Sequence, residues 1–419
     1  MDYQECISEI AEFEGRGIYR GLDRMQTALR LLKNPHESFP TLHIAGTNGK
    51  GSTAAMVAEI LTRSHFKTGL TISPHVEDYR ERIQVGGQWI TRDDLIRLHL
   101  LLKKRVGHLP LTYFEWTTLI AFLHFAQSRV DLAVLETGMG GRWDATNVTL
   151  PLVGGITQIS LDHEEILGRT LPEIVGEKMQ ILKSGMIAWA DITDPSLRLV
   201  LERHCVANNV SLFYLSDYFR ENADGTFSIF DYRGLKPALK GRHQLRNGAM
   251  AVAMVHSLAK KGFTIARRAI EEGLKGVKWP ARLEVLQKNP VVLIDGAHNR
   301  GGIAALADYL KEIGRKFHIV FGTLNDRPFE EMLLPLLPFG HSFSWALFEG
   351  TRAFSSDQMK EMSARIRERY GVEGKILPVT QESWKDFLAH LPSDEAVLVT
   401  GSLCLVSQVR GFNKEISHA

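Results

Sequence analysis

The chain has 419 residues, 44% of them hydrophobic and 23% charged, an ordinary folded composition with room for about two or three domains. Lys and Arg number 50 against 48 Asp and Glu, so no bulk charge draws the protein to nucleic acid or an acidic membrane. Any anionic substrate must be held by local groups. Three scattered cysteines (Cys6, Cys205, Cys404) form no CxxC pair, which argues for a reducing compartment and against a disulfide frame or structural zinc. The acidic N-terminal stretch lacks the apolar core of a signal peptide, and no run of about 18 apolar residues exists. A cytoplasmic enzyme or binding protein is expected.

Tyr3 to Phe13 and Leu22 to Leu32 read as amphipathic helices ahead of a first strand, Thr41 to Ala45. That strand runs into Gly46-Thr47-Asn48-Gly49-Lys50-Gly51-Ser52-Thr53, then into a helix with Ala54, Val57, Ala58 and Leu61 on one face. Glycines let backbone N–H groups converge on an anion, and a helix start adds unpaired donors. Lys50 can reach outer phosphates, and Ser52 or Thr53 can ligate Mg²⁺. Only Thr47 and Asn48 separate Gly46 from the Gly49-Lys50 pair, where the general P-loop has four residues, and Gly51 intervenes before Ser52. The plainer alternative is an ordinary glycine-rich βα turn.

Lys67 to Thr71 is expected to be a strand ending at Ser73-Pro74-His75, and Arg82 to Thr91 a hairpin around Gly86-Gly87. Helices at Arg92–Arg105 and Phe114–Gln127 lead to a buried strand, Val130–Glu136. A glycine-rich loop from Thr137 to Asn147 follows, then an apolar strand ending near Ile159, Asp162-His163, and Lys178 within a helix from Glu173 to Leu182. Strands alternating with helices imply a mostly parallel sheet covered on both faces, with ligands beyond its carboxyl strand ends. The Gly46 loop, Ser73, Glu136 and Asp162 can therefore share one cleft, where Glu136 could complete a Mg²⁺ shell.

Short β-like runs such as Thr226 to Tyr232 lie among turn residues between Asn208 and Lys240. Gln244–Lys261 and Thr264–Lys275 read as helices, the first with His243 and Asn247 on one face near its start. Gly276-Val277-Lys278-Trp279-Pro280 breaks the pattern, so domains are expected at 1–278 and 279–419. In the second, strands at Val291–Ile294, His318–Phe321, Ser344–Leu347, Lys375–Val379 and Ala396–Val399 alternate with helical segments. Asp295-Gly296-Ala297-His298-Asn299 ends the first of these. It offers a carboxylate for a ribose hydroxyl and a histidine for a base or phosphate, or else is a tight turn capped by Asn299.

An ordered motif series accumulates along the chain: Gly46–Ser52, Ser73-Pro74-His75, Glu81-Arg82-Ile83, Tyr113-Phe114-Glu115, and Glu136…Gly140-Gly141-Arg142…Asp144–Asn147. It continues through Leu161-Asp162-His163, Glu177-Lys178, Gly241…His243-Gln244…Asn247, Arg282-Leu283-Glu284, Asp295–Asn299 and Thr400–Leu403. Together these resemble the folylpolyglutamate synthase/dihydrofolate synthase family, a branch of the Mur ligases, over nearly the whole chain. The resemblance implies an α/β fold: an N-terminal P-loop-containing Mur-ligase-like ATPase domain and a smaller C-terminal Rossmann-like domain. It implies an ATP-dependent ligase that makes an acyl phosphate and joins it to L-glutamate, the acceptor being dihydropteroate or a folate.

By the same resemblance the phosphates lie in the Gly46–Ser52 loop with Lys50 offsetting their charge. The resemblance also implies that Ser52 and Glu136 ligate one Mg²⁺ and His163 a second, and Lys178 matches a lysine that is carbamylated in the family. Asn247, Arg282, Asp295 and His298 match ATP-holding positions, and Ser73, Tyr79, Arg82 and Phe114 sit in stretches used around the pterin. A monomer whose domains close over ATP is expected. Met179-Gln180 after the lysine, Arg300 after Asn299 and Trp143 after Arg142 depart from the usual pattern. A cell-wall precursor synthetase, a small-molecule kinase and a non-catalytic nucleotide-binding relative are the competing readings.

Overall fold

The computed structural model describes residues 1–350 and 352–418, and contacts divide them into two units. The first unit takes Met1–Ala238 and His243–Lys278; the second takes Leu239–Arg242 and the chain from Trp279 on.

The first unit opens with α1 (Tyr3–Ala11) and α2 (Asp23–Leu31), then β1 (Thr41–Ala45) and α3 (Lys50–Arg63). The chain continues through β2 (Thr68–Thr71), the hairpin β3 (Ile83–Val85) and β4 (Gln88–Trp89), α4 (Arg92–Val106), α5 (Tyr113–Ser128) and β5 (Leu132–Glu136). After it come β6 (Val153–Ile156), α6 (Glu164–Leu167), α7 (Leu171–Lys178), β7 (Ile187–Ala190), α8 (Pro195–Ala207) and β8 (Ser211–Tyr214). These strands form one sheet in the order β4-β3-β2-β5-β1-β6-β7-β8. From β2 to β8 every pairing is parallel, and β3 and β4 add an antiparallel edge. Fully buried strands such as β5, apolar up to Glu136 at its end, fit a sheet covered on both faces.

One core cluster joins α1, α2, α4 and α5 to β5, and another joins α7 and α8 to β6 and β7. Helix α5 is buried almost all round, and its start is closed by a Thr112–Glu115 capping box. Register places Ile44 beside Glu136 and Thr71 beside Leu135, so β1, β2 and β5 end level with one another.

Several expectations are corrected. Strand β6 stops at Ile156, and the following residues are irregular, which leaves their backbone able to reach the Gly46 loop. Helix α7 ends at Lys178 and continues as a tighter turn, Met179–Ile181. The run Thr226–Tyr232 is two strands, β10 (Phe227–Ile229) and β11 (Tyr232–Leu235), because Phe230 turns the chain at φ 53°. With β9 (Arg220–Glu221) they make a small antiparallel sheet. Strands β7 and β8 and helix α8 were not anticipated; the strands are only four residues long and carry no readable period. Helices α9 (His243–Ser257) and α10 (Arg267–Gly276) complete the unit.

The second unit holds β12 (Glu284–Lys288), β13 (Val291–Ile294), α11 (Arg300–Ile313), β14 (Phe317–Phe321), α12 (Phe329–Leu333), β15 (Gly340–Leu347) and α13 (Ser356–Tyr370). It ends with β16 (Gly374–Pro378), α14 (Gln381–Ala389), β17 (Ala396–Thr400) and α15 (Leu403–His418). Its sheet order is β12-β13-β17-β14-β15-β16, parallel except for β12, which the sequence reading missed.

Candidate active site

The Gly46 loop is shaped by its own neighbours. The N–H groups of Thr47 and Asn48 both donate to Gln158 O, at 2.8 and 3.3 Å. The Thr47 hydroxyl donates to Ser160 O at 3.0 Å and accepts the Ser160 N–H at 3.1 Å, while Asn48 Nδ2 donates to Ser160 Oγ at 3.1 Å. Thr47 and Asn48, both expected among the ATP-contacting residues, thus have their backbone donors committed to bracing the loop. The donors left for an anion are further on: the N–H groups of Lys50, Gly51 and Ser52 open α3 and meet no carbonyl of the described chain.

Gly49 makes the turn possible. It sits at φ +88°, and a Cβ there would lie 2.3 Å from Asn247 Oδ1. Asn247 and Gln244, on the first turn of α9, therefore back the loop, and Gln244 Nε2 reaches Ser52 Oγ at 3.4 Å. Gln244 stands in the motif series, but its type and spacing alone pointed to no role. Lys50 Nζ rests on Thr47 O at 3.2 Å, and the Thr53 hydroxyl is buried without a hydrogen-bond partner.

Glu136 is 4% exposed at the end of β5, and its Oε2 accepts the Ser73 N–H at 3.0 Å. That contact ties the end of β5 to the segment after β2. Ser52 opens the helix after β1, so hydroxyl and carboxylate lie at the ends of adjacent strands. Among the described residues no three His, Cys, Asp or Glu side chains are grouped to hold a metal by themselves. A hydroxyl plus one carboxylate, with phosphate oxygens and water completing the shell, is the donor chemistry Mg²⁺ favours. His163 adopts φ +51° at the start of α6, an unusual conformation for a non-glycine residue, and its Nε2 lies 3.8 Å from Asp162 Oδ1.

Lys178 ends α7, 4% exposed, and its Nζ donates to Gly46 O at 2.8 Å. Burial, aided by the nearby positive charge of Lys50, lowers its pKa to about 7, with Asp162 and Asp144 pulling the other way. The Glu136–Asn147 loop presents this lysine. A Cβ on Gly141 would lie 2.7 Å from Lys178 O, so only glycine lets α7 approach; Arg142 then holds Glu177 through backbone and side chain at 3.0 and 2.8 Å.

Beside the loop opens a cavity of about 420 Å³, bordered by Ser73, Arg82, Tyr113, Phe114, Trp143 and Asp144 among others. Its polar lining is unusual in two places. Arg82 is 7% exposed with no carboxylate partner; its Nε donates to His75 Nδ1 at 2.7 Å and its guanidinium lies over the Tyr113 ring. Burial and that cation hold the His75 pKa down to about 4. Asp144 accepts from Thr146 and from the Gly138 and Met139 N–H groups, yet burial still raises its pKa. The Ser73 hydroxyl is buried and unpartnered. Tyr79, expected to contact substrate, instead lies behind the wall, bonded to Thr117 at 2.8 Å and packed edge-on against Tyr113. Glu115 is spent on the α5 capping box.

In the second unit Asp295 is buried, with Oδ2 accepting from Leu283 N–H and Oδ1 from Ala297 N–H, at 3.0 and 2.9 Å. Its carboxylate therefore builds the turn after β13. His298 Nδ1 pairs with Gly296 O at 2.8 Å, Arg282 lies against Gly296, and Asn299 caps α11 through Gly302 N–H.

Comparison with known proteins now bears on this geometry. Residues 44–255 match the Mur ligase middle domain, and residues 281–403 match the Mur ligase glutamate ligase domain. The chain is 33% identical to the dihydrofolate synthase/folylpolyglutamate synthase of Bacillus subtilis, over 97% of this chain and 98% of that one. The chain belongs to the folylpolyglutamate synthase/dihydrofolate synthase family. It is an ATP-dependent ligase. Among solved structures, E. coli FolC in complex with DHPP and ADP superposes with a TM-score of 0.87 at 27% identity, covering 99% of this chain and 98% of that one. The bifunctional folylpolyglutamate synthase/dihydrofolate synthase from Yersinia pestis, complexed with AMPPNP and a Mn ion, gives 0.86 at 26% identity, covering 100% and 98%. The α/β fold of Mur ligase domains follows from the same matches.

Proposed function

We propose that this ligase joins L-glutamate both to dihydropteroate and to the terminal glutamate of reduced folates. The observation that carries the proposal is the Glu136–Ser73 contact, 3.0 Å long, which ties the end of β5, beside the phosphate loop, to the acceptor cavity. ATP, with Mg²⁺ on its phosphates, supplies the phosphoryl group that turns the acceptor carboxylate into an acyl phosphate open to attack by the glutamate amine.

Within that reaction the N–H groups of Lys50, Gly51 and Ser52 bind phosphate oxygens and the Lys50 amine offsets their charge. Ser52 and Glu136 are ligands of one Mg²⁺ and His163 of a second. Arg82 and Ser73 meet polar edges of the acceptor, while Tyr113 and Phe114 enclose its rings. Asn247, Arg282 and His298 contact nucleotide, and Asp295 shapes the turn that carries His298. Lys178 is carbamylated: an amine whose pKa is lowered to about 7 is about half neutral near pH 7, and the neutral form is the one that combines with CO₂. The product is an anion where a buried cation stood, suited to the second metal. The protein works as a monomer, and its three free cysteines fit a reducing, cytoplasmic setting.

The test is phosphate release from ATP by the purified protein, with glutamate, against a panel of dihydropteroate, tetrahydrofolate and a uridine-nucleotide muropeptide. Release is expected only with glutamate and a pteroate or folate together. Equal release without an acceptor, or stimulation by the muropeptide alone, overturns the proposal.

A further inference from the structure

A second cavity, of about 470 Å³, adjoins the acceptor cavity, and the two share Ile18, Met139 and Trp143 as a common wall. Two of these are conspicuous. Trp143 is 45% exposed and Ile18 58% exposed, and among the described residues the indole has neither a ring contact nor a hydrogen bond. Large apolar side chains left in water at a concave site mark a surface that something covers.

Residues on either side of both are tied to the rest of the unit, by backbone bonds around Trp143 and by two arginine side chains around Ile18. On one side, Arg142 N–H donates to Glu177 O at 3.0 Å and Asp144 N–H to Gly141 O at 3.2 Å, bracketing Trp143. On the other, Arg16 Nη1 donates to Leu111 O at 2.8 Å and Arg20 Nη2 to Ile166 O at 3.2 Å, bracketing Ile18. The result is an apolar saddle formed by Ile18 and Trp143 on the shared wall of the two cavities.

We propose that Trp143 is a specificity-determining residue for the acceptor, its indole closing on the acceptor's aromatic ring system at the mouth of the cavity, with Ile18 as the opposing contact. This rests on the acceptor assignment made above. An indole offers a large, nearly rigid face to an aromatic ring at little entropic cost, and such a contact favours planar acceptors over flexible aliphatic ones. Because the indole holds the ring system equally before and during phosphoryl transfer, its loss should raise KM and leave kcat almost alone.

Full-length Trp143→Ala is expected to raise the KM for dihydropteroate and tetrahydrofolate about tenfold, with kcat and the KM for ATP within twofold of wild type. Trp143→Phe should recover most of the affinity, since it keeps an aromatic face. A second readout needs no catalysis: either acceptor, added without ATP or glutamate, should quench tryptophan fluorescence in wild type and do so markedly less in Trp143→Phe. Unchanged acceptor KM in Trp143→Ala together with undiminished quenching in Trp143→Phe overturns the assignment. Should wild type show no acceptor-dependent phosphate release, the function proposal fails, while the quenching comparison still decides whether Trp143 meets the acceptor.

Discussion

At the scale of single residues, two lysines sit within electrostatic reach of each other and are given opposite tasks. Lys50, resting on Thr47 O at 3.2 Å, sets its amine beside the donors of the α3 start. Lys50→Ala should cut ATP turnover about 10²- to 10³-fold, the usual cost of losing one preorganised charge-stabilising group, and initial rates at saturating ATP will measure it. Lys178 is the reverse case, a buried amine whose charge is costly.

The sign of that cost can be followed with pH. The folded-state pKa of Lys178 is about 7 against an ordinary 10.5, so below pH 7 the amine is charged in both folded and unfolded states and the full burial penalty is felt. Between pH 7 and 10.5 the folded state sheds the proton while the unfolded state keeps it, and the penalty fades. In CO₂-free buffer, Lys178→Ala should therefore compare best with wild type at pH 7 and below. Its relative stability should fall as pH rises toward 10.5, as read from denaturant midpoints. If the lysine acts as a carbamate, short carboxylic acids should also restore part of the variant's lost activity.

At the scale of elements, the phosphate loop is a turn built by its surroundings. Gly49→Ala places a Cβ 2.3 Å from Asn247 Oδ1 at φ +88°. Loss of about 2 kcal/mol is expected from the left-handed backbone alone, with more from the contact. Thermal melts should show the drop, and an Asn247→Ala background should relieve only the steric part.

Elements are also where sequence reading succeeded and failed. The loop, Glu136 and the strand ends beside them were legible because apolar runs meeting glycine clusters leave little choice of structure. The task of Thr47 and Asn48 was not, since the carbonyl they bind belongs to Gln158, over a hundred residues away, in the irregular stretch that follows a strand that stops early. Tyr79 and Asp295 also bond within the protein, to Thr117 and to the Leu283 and Ala297 backbone, partners that the motifs do not reveal. Ile18 carried no local pattern and Trp143 stood out only as a departure from the motif; folding brings them to the same two cavities.

At the scale of the whole molecule, binding chemistry is shared between protein and nucleotide. No three-residue metal cluster exists among the described residues, so the metal should bind well only together with phosphate. Chelation with EDTA should abolish turnover, and Mg²⁺ or Mn²⁺ should restore it. An unreactive ATP analogue should raise Tm markedly with Mg²⁺ and little without it, since ligand at about a hundred times its Kd adds about 2.7 kcal/mol.

The position of β5 between β1 and β2 has a further consequence. One neighbour carries the phosphate loop and the other leads to the acceptor cavity, with Glu136 standing at the seam. Heritable change can therefore act on one side alone. Substitutions confined to Ile18, Met139 and Trp143, which line the acceptor side alone, would give descendants with new acceptor preferences and an inherited phosphoryl-transfer apparatus, a division of labour that directed evolution of this scaffold can exploit.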